Sequence, residues 1–250
     1  MRVRRAAGVT LLAAALAGGG APAAPATPER SGAEAGLVGI ECGPERGLGS
    51  HRFRGVVIDT AGAELRRDVI LTTAHGFPAD TDRITEACWV EGPAQRHYAI
   101  DWIWRPVARG RGSLDDWAVL VTERRLRGDL ARQPVAAWPP GGRRPARAEM
   151  PARLPLRFFA AERACTLTPS GSAHEPLSAG FFSHTCRSWP GHSGSPILTA
   201  DGAVVGIHVG SRWIFERQAS LKIGRFVDAE MLGAIRTAMA RAGTDQRRRR

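Results

Sequence analysis

The chain has 250 residues, 43% of them hydrophobic, four cysteines and a formal net charge of +11. That length and apolar content suit one large domain or two small ones and exclude disorder except at the two ends. The charge does not point to nucleic acid, because seven of the arginines are Arg2, Arg4, Arg5 and Arg247 to Arg250, and no aromatic-interleaved basic motif occurs.

In chain order, residues 1–26 read as a signal peptide. Arg2, Arg4 and Arg5 form a positive start, residues 6–17 a short apolar core, and residues 21–26 offer small-residue cleavage positions. An uncleaved anchor is the competing reading; on either, the folded part lies outside the cytoplasm, secreted or periplasmic, where disulfides persist. Residues 27–35 are a polar entry segment or short propeptide. Six short β-branched or aromatic runs follow at 36–40, 51–60, 68–73, 87–90, 98–104 and 117–122, set off by Gly, Pro and Asp. Six more are predicted at 154–160, 166–169, 180–185, 195–199, 203–209 and 219–226, with a hairpin turn at 200–202. Residues 126–153, rich in Pro, Gly and Arg, read as a linker, although 134–138 is a candidate to open the second set. Asp228 is placed to cap a helix over 229–242 with Met231, Ile235 and Met239 on one face. The run Arg247–Arg250 suits weak association with an anionic envelope surface or, more simply, a solvated terminus.

Three stretches carry chemistry. Pro190-Gly191-His192-Ser193-Gly194-Ser195-Pro196 sets a hydroxyl in a glycine turn that runs into an apolar strand. Such a turn offers a nucleophile together with backbone N–H groups, those of Gly191 and Ser193, to hold an oxyanion. A serine needs a base, and the β-rich run 69–75 ends in His75. Asp116 stands at the head of a third apolar run, with Asp115 as its rival; Ser195, outside the GxSG turn, is the rival nucleophile.

The order His75, Asp116, Ser193 and the GxSGxP around Ser193 resemble the trypsin/chymotrypsin-like serine peptidases, over residues 36 to 243. The resemblance implies an all-β fold of two six-stranded antiparallel β-barrels with a C-terminal α-helix. The first barrel spans 36–125, the second 154–227, the helix 228–243 and a basic tail 244–250. It implies a serine endopeptidase acting on protein or peptide substrates through an acyl-enzyme, as a monomer without metal or organic cofactor. His75 would be the general base, Asp116 the group that fixes its tautomer, and Gly191 with Ser193 the oxyanion hole. The family layout favours disulfides Cys42–Cys88 and Cys165–Cys186, among three possible pairings.

Two departures carry expectations. His192 stands where the digestive enzymes place an aspartate that pairs with a new N-terminus, so no zymogen salt-bridge switch is expected. Gly76 follows His75 where those enzymes have a cysteine, which is similar to the bacterial branch. Within that branch, Val205 to Gly210 resembles the glutamyl endopeptidases, where a histidine here contacts an acidic side chain. That implies a substrate-binding role for His208 and Ser188, with Arg187 adding charge if it points inward. The alternatives are a core histidine in a protease of broad specificity and a catalytically silent protease-fold binding protein. An esterase is disfavoured, because the GxSxG elbow and strand–helix alternation are missing.

Overall fold

The computed structural model describes residues 36–43, 50–60, 65–78, 82–106, 115–137, 165, 167–169, 180–199, 202–214 and 219–244. The expected signal and entry segments, most of the linker, the strand expected at 154–160, residues 200–201 and the tail Arg247–Arg250 lie outside them.

The first six runs become six strands: β1 (Leu37–Cys42), β2 (His51–Val57), β3 (Val69–Thr72), β4 (Cys88–Glu91), β5 (His97–Trp104) and β6 (Ala118–Thr122). They close into an antiparallel barrel in the order β1-β2-β3-β6-β5-β4. Side chains alternate across a strand, and here both sides are used. Ile70, Ala118 and Leu120 fill the barrel with Val38, Ile40 and Ile100. Their neighbours Val69, Leu71, Val119 and Val121 face outward into a second core. That explains why β3 and β6 read as continuous apolar runs rather than as alternating ones. A short helix α1 (Asp82–Ala87), which the sequence did not announce, precedes β4.

The second half supplies β7 (Leu167–Pro169), β8 (Phe181–His184), β9 (Pro196–Leu198), β10 (Val204–Ile214) and β11 (Ala219–Phe226). They form an antiparallel sheet in the order β7-β8-β11-β10-β9. Where a second six-stranded barrel is expected, the described residues form a five-stranded sheet that curls over Phe182, Ile197 and Phe226. The linker contributes here: Val135 bridges Val204, and Gln133 bridges Ile58, so residues 133–136 tie the end of β2 to the start of β10.

Helix α2 (Ala229–Gly243) covers the outer face of β3 and β6. Asp228 caps it, its carboxylate accepting from the Met231 N–H at 2.9 Å. Met231, Ala234, Ile235, Ala238 and Ala242 form the buried stripe. Full burial of Met231 and Ile235 contributes roughly 1.5–3 kcal/mol each. Arg67 holds the far end: its guanidinium donates to the carbonyls of Ala242 at 3.4 Å and Thr244 at 2.9 Å and to Asp101 Oδ2 at 2.6 Å. Disulfides join Cys42 to Cys88, directly opposite each other on β1 and β4, and Cys165 to Cys186. No helix among the described residues is long and apolar enough to cross a membrane.

Candidate active site

Strand register brings His75 and Asp116 together. β3 pairs antiparallel with β6, Thr72 opposite Ala118. Continuing that pairing past the strand ends sets Asp116 opposite Ala74. The Asp116 Oδ1 accepts from the backbone N–H of Ala74 at 3.1 Å and of His75 at 2.9 Å. Its Oδ2 lies 2.8 Å from His75 Nδ1. The carboxylate is buried, and these donors satisfy its oxygens. Asp115 instead offers its carbonyl to Trp117, whose indole sits in the core beside Trp104.

Ser193 arrives from the other half of the molecule. Its carbonyl accepts from the Arg54 N–H on β2 at 2.7 Å, and the Gly194 N–H donates to the His208 carbonyl on β10 at 2.8 Å. The turn is thereby fastened to both sheets. Ser193 Oγ lies 3.1 Å from His75 Nε2. Ser195 is fully buried, and its Oγ makes no hydrogen bond among the described residues.

The approach to Ser193 requires glycine on both sides. Trp189 to His192 form a turn closed by the His192 N–H on the Trp189 carbonyl at 3.0 Å, with Pro190 second and Gly191 third at φ +90°. These are the residues a type II turn demands. Among the described residues, neither the Gly191 nor the Ser193 amide donates to a protein acceptor. Gly194, at φ +84°, packs on the Arg54 carbonyl and Thr72 Oγ1 with no room for a Cβ.

A cleft of about 840 Å³ opens beside Ser193 and His75 and is lined by Ser188, Gly191 and His208, among others. His208 is buried, and its Nδ1 lies 2.9 Å from His184 Nε2. Burial drives the pKa of His208 well below the ordinary value, with His184 adding to the effect. Burial likewise lowers His184 to about 3 and His192 to about 4, so all three imidazoles are neutral at pH 7. Ser188 Oγ is buried without a hydrogen-bond partner among the described residues. Arg187, between buried Cys186 and Ser188, is turned to solvent and does not line the cleft.

His184 is the residue that sequence reasoning passed over. It reads as one of several scattered histidines, and only the pairing of β8 with β11 and of β11 with β10 carries it to His208. Among the described residues, metal-ligating side chains gather at Cys165, His184 and Cys186. The two sulfurs are bonded to each other, which leaves no thiolate to hold a metal.

An all-β pair of sheets, meeting where a serine hydroxyl, an imidazole and a buried carboxylate are joined in line, defines a serine-hydrolase class of protein. The family follows from sequence: the trypsin-like peptidase domain model matches residues 54–207, and the chain belongs to that family of serine proteases. No curated protein is significantly similar to the chain in sequence. Solved structures agree on the fold. Kallikrein-related peptidase 10 in complex with Zn2+ is similar at TM-score 0.58 and 12% identity, covering 84% of this chain and 98% of that one. A Glu endopeptidase in complex with MPD is similar at TM-score 0.53 and 14% identity, covering 82% and 90%. An M. tuberculosis protease in its active form is similar at TM-score 0.50 and 16% identity, covering 86% and 83%.

Proposed function

We propose that the protein is an exported serine endopeptidase in which Ser193 is the nucleophile, His75 the general base and Asp116 the group that orients and stabilises the imidazolium. The observation that carries the reading is the line of contacts through His75, 2.8 Å on one nitrogen to Asp116 and 3.1 Å on the other to Ser193. His75 Nε2 takes the Ser193 proton as Oγ attacks the substrate carbonyl. The Gly191 and Ser193 N–H groups then stabilise the oxyanion, and His75 returns the proton to the leaving amine. Water repeats the sequence on the acyl-enzyme.

The same reading includes a preference for an acidic side chain on the acyl side of the scissile bond. Two neutral imidazoles in contact share one proton between them. When His184 Nε2–H donates to His208 Nδ1, the proton of His208 is on Nε2, available to a substrate carboxylate. Ser188 Oγ is a second donor whose burial is uncompensated until a ligand arrives. The burial of His192 also supports activity without a second N-terminal cut, since a neutral imidazole cannot pair with an ammonium as a carboxylate does. The two disulfides favour a compartment outside the cytoplasm, reached by export of residues 27–250 after loss of the signal segment.

The test is to treat this exported form and its Ser193→Ala variant with a fluorophosphonate probe and then profile wild type on a peptide library. Labelling of wild type alone, with cleavage after Glu or Asp, is expected. Absence of labelling overturns the catalytic assignment and leaves a silent binding protein; cleavage mainly after Ala, Leu or Arg overturns the acidic preference.

A further inference from the structure

The walls of the cleft are of one sign. Among the described residues, the charged residues that line it are Arg52, Arg212 and Lys222, and neither Asp nor Glu is present. Lys222 Nζ donates to the neutral Ser211 Oγ at 3.1 Å, its neighbour across β10 and β11, so its charge stays uncompensated there. Arg212 is exposed on the same hairpin, and among the described residues it forms no ion pair. Arg52 reaches Glu41 Oε2 at 3.0 Å, yet its side chain is 57% exposed, and one carboxylate does not use the five N–H donors of a guanidinium.

These cations stand on opposite banks of the nucleophile. The Ser193 turn is fastened to β2 on one side and β10 on the other. Arg52 lies on β2, its carbonyl 3.5 Å from where a Cβ on Gly191 would sit. Arg212 and Lys222 lie on the β10–β11 hairpin. β9 pairs only with Val204 to Ile207, so beyond His208 that edge of β10 has no strand partner among the described residues. An extended peptide can lie along such an edge, which carries it past Arg212, with Lys222 across the hairpin on β11. The rest of the peptide leaves past Gly191 and Arg52.

We infer that the cleft selects peptide segments that are acidic on both sides of the scissile bond, Arg212 and Lys222 meeting carboxylates of the acyl half and Arg52 one of the leaving half. This rests on the reading of Ser193 as nucleophile but not on which residue is cleaved after. Like-signed charges in a cleft with low-dielectric walls reinforce one another, raising the local concentration of anionic substrate and repelling basic segments.

The experiment uses the exported chain and internally quenched peptides with one fixed residue at the cleavage point. The flanks on the acyl side, the leaving side or both are Glu or Gln, and kcat/KM is read at low and high salt after fluorophosphonate titration of active enzyme. Acidic flanks on both sides are expected to raise kcat/KM about tenfold over Gln flanks at low salt, chiefly through KM, and the gain shrinks with salt. Arg212→Gln with Lys222→Gln removes the gain from the acyl side, and Arg52→Gln removes that from the leaving side. The charge reversals Arg212→Glu and Lys222→Glu shift preference towards Lys flanks. An enzyme that titrates with the probe yet cleaves Glu-flanked and Gln-flanked peptides equally overturns this inference alone. An enzyme that does not titrate overturns the parent reading and this one with it.

Discussion

His184 Nε2 and His208 Nδ1 lie 2.9 Å apart in the interior of the second sheet, neutral imidazole against neutral imidazole. The contact has a thermodynamic consequence. Both rings bind a proton near pH 6.5 in the unfolded chain but resist it in the folded one, as does His192. Below pH 6.5 the unfolded state therefore binds more protons than the native state. Stability falls as pH drops from 6.5 towards the folded values of about 3 for His184 and about 4 for His192, by up to about 1.4 kcal/mol per pH unit for each such ring. Urea unfolding midpoints between pH 7 and pH 4 should show this decline, and His184→Gln should flatten its slope; a midpoint constant over that range would count against buried neutral rings.

Asp116→Asn keeps a carbonyl for the Ala74 and His75 amides but turns an NH2 group towards His75 Nδ1, which forces the wrong tautomer. The expected result is a loss of about 10⁴ in kcat with KM nearly unchanged. Steady-state kinetics on a cleaved peptide decides it, and a loss smaller than tenfold would remove Asp116 from the mechanism.

Gly194→Ala tests the close approach of the turn to β2. A Cβ there meets the Arg54 carbonyl and Thr72 Oγ1, and φ +84° is strained for alanine as well. Gly191→Ala shares the strain at φ +90° but meets no clash, only an ordinary contact with Arg52 O at 3.5 Å. The first should cost more than about 2 kcal/mol and the second about 1–2 kcal/mol in denaturant unfolding. Both should slow fluorophosphonate labelling, since each perturbs the amides beside Ser193.

Arg67→Met removes the donor shared by Asp101 and the carbonyls that end α2, in a side chain only 7% exposed. Leaving Asp101 and those carbonyls without it should cost about 3 kcal/mol. Thermal unfolding reads the total, and hydrogen exchange should show the loss concentrated in the last turns of α2.

The strands, the capped helix and the turn at Trp189–His192 were legible because each depends on residues close in sequence. Runs such as 69–72 and 118–122 carry β-branched side chains, Asp228 stands one residue before its helix, and Pro190-Gly191 is the pair that a type II turn needs. Asp116, the carboxylate nearest the apolar run, is the one that the register of β3 with β6 sets beside His75. The second sheet was harder to read, because residues 133–136 look like linker yet bond to both β2 and β10.

The sequence by itself determined the all-β class, the cap of α2 and which serine, histidine and aspartate to examine, because backbone conformation obeys short-range steric and hydrogen-bonding rules. Only the tertiary structure decided that His184 touches His208, that Arg67 closes the end of α2, that Arg187 faces solvent, and that Arg52, Arg212 and Lys222 line one cleft. These groups come from strands and loops far apart in the chain. Their meeting depends on strand register and on how two sheets pack, which no local pattern of residues encodes.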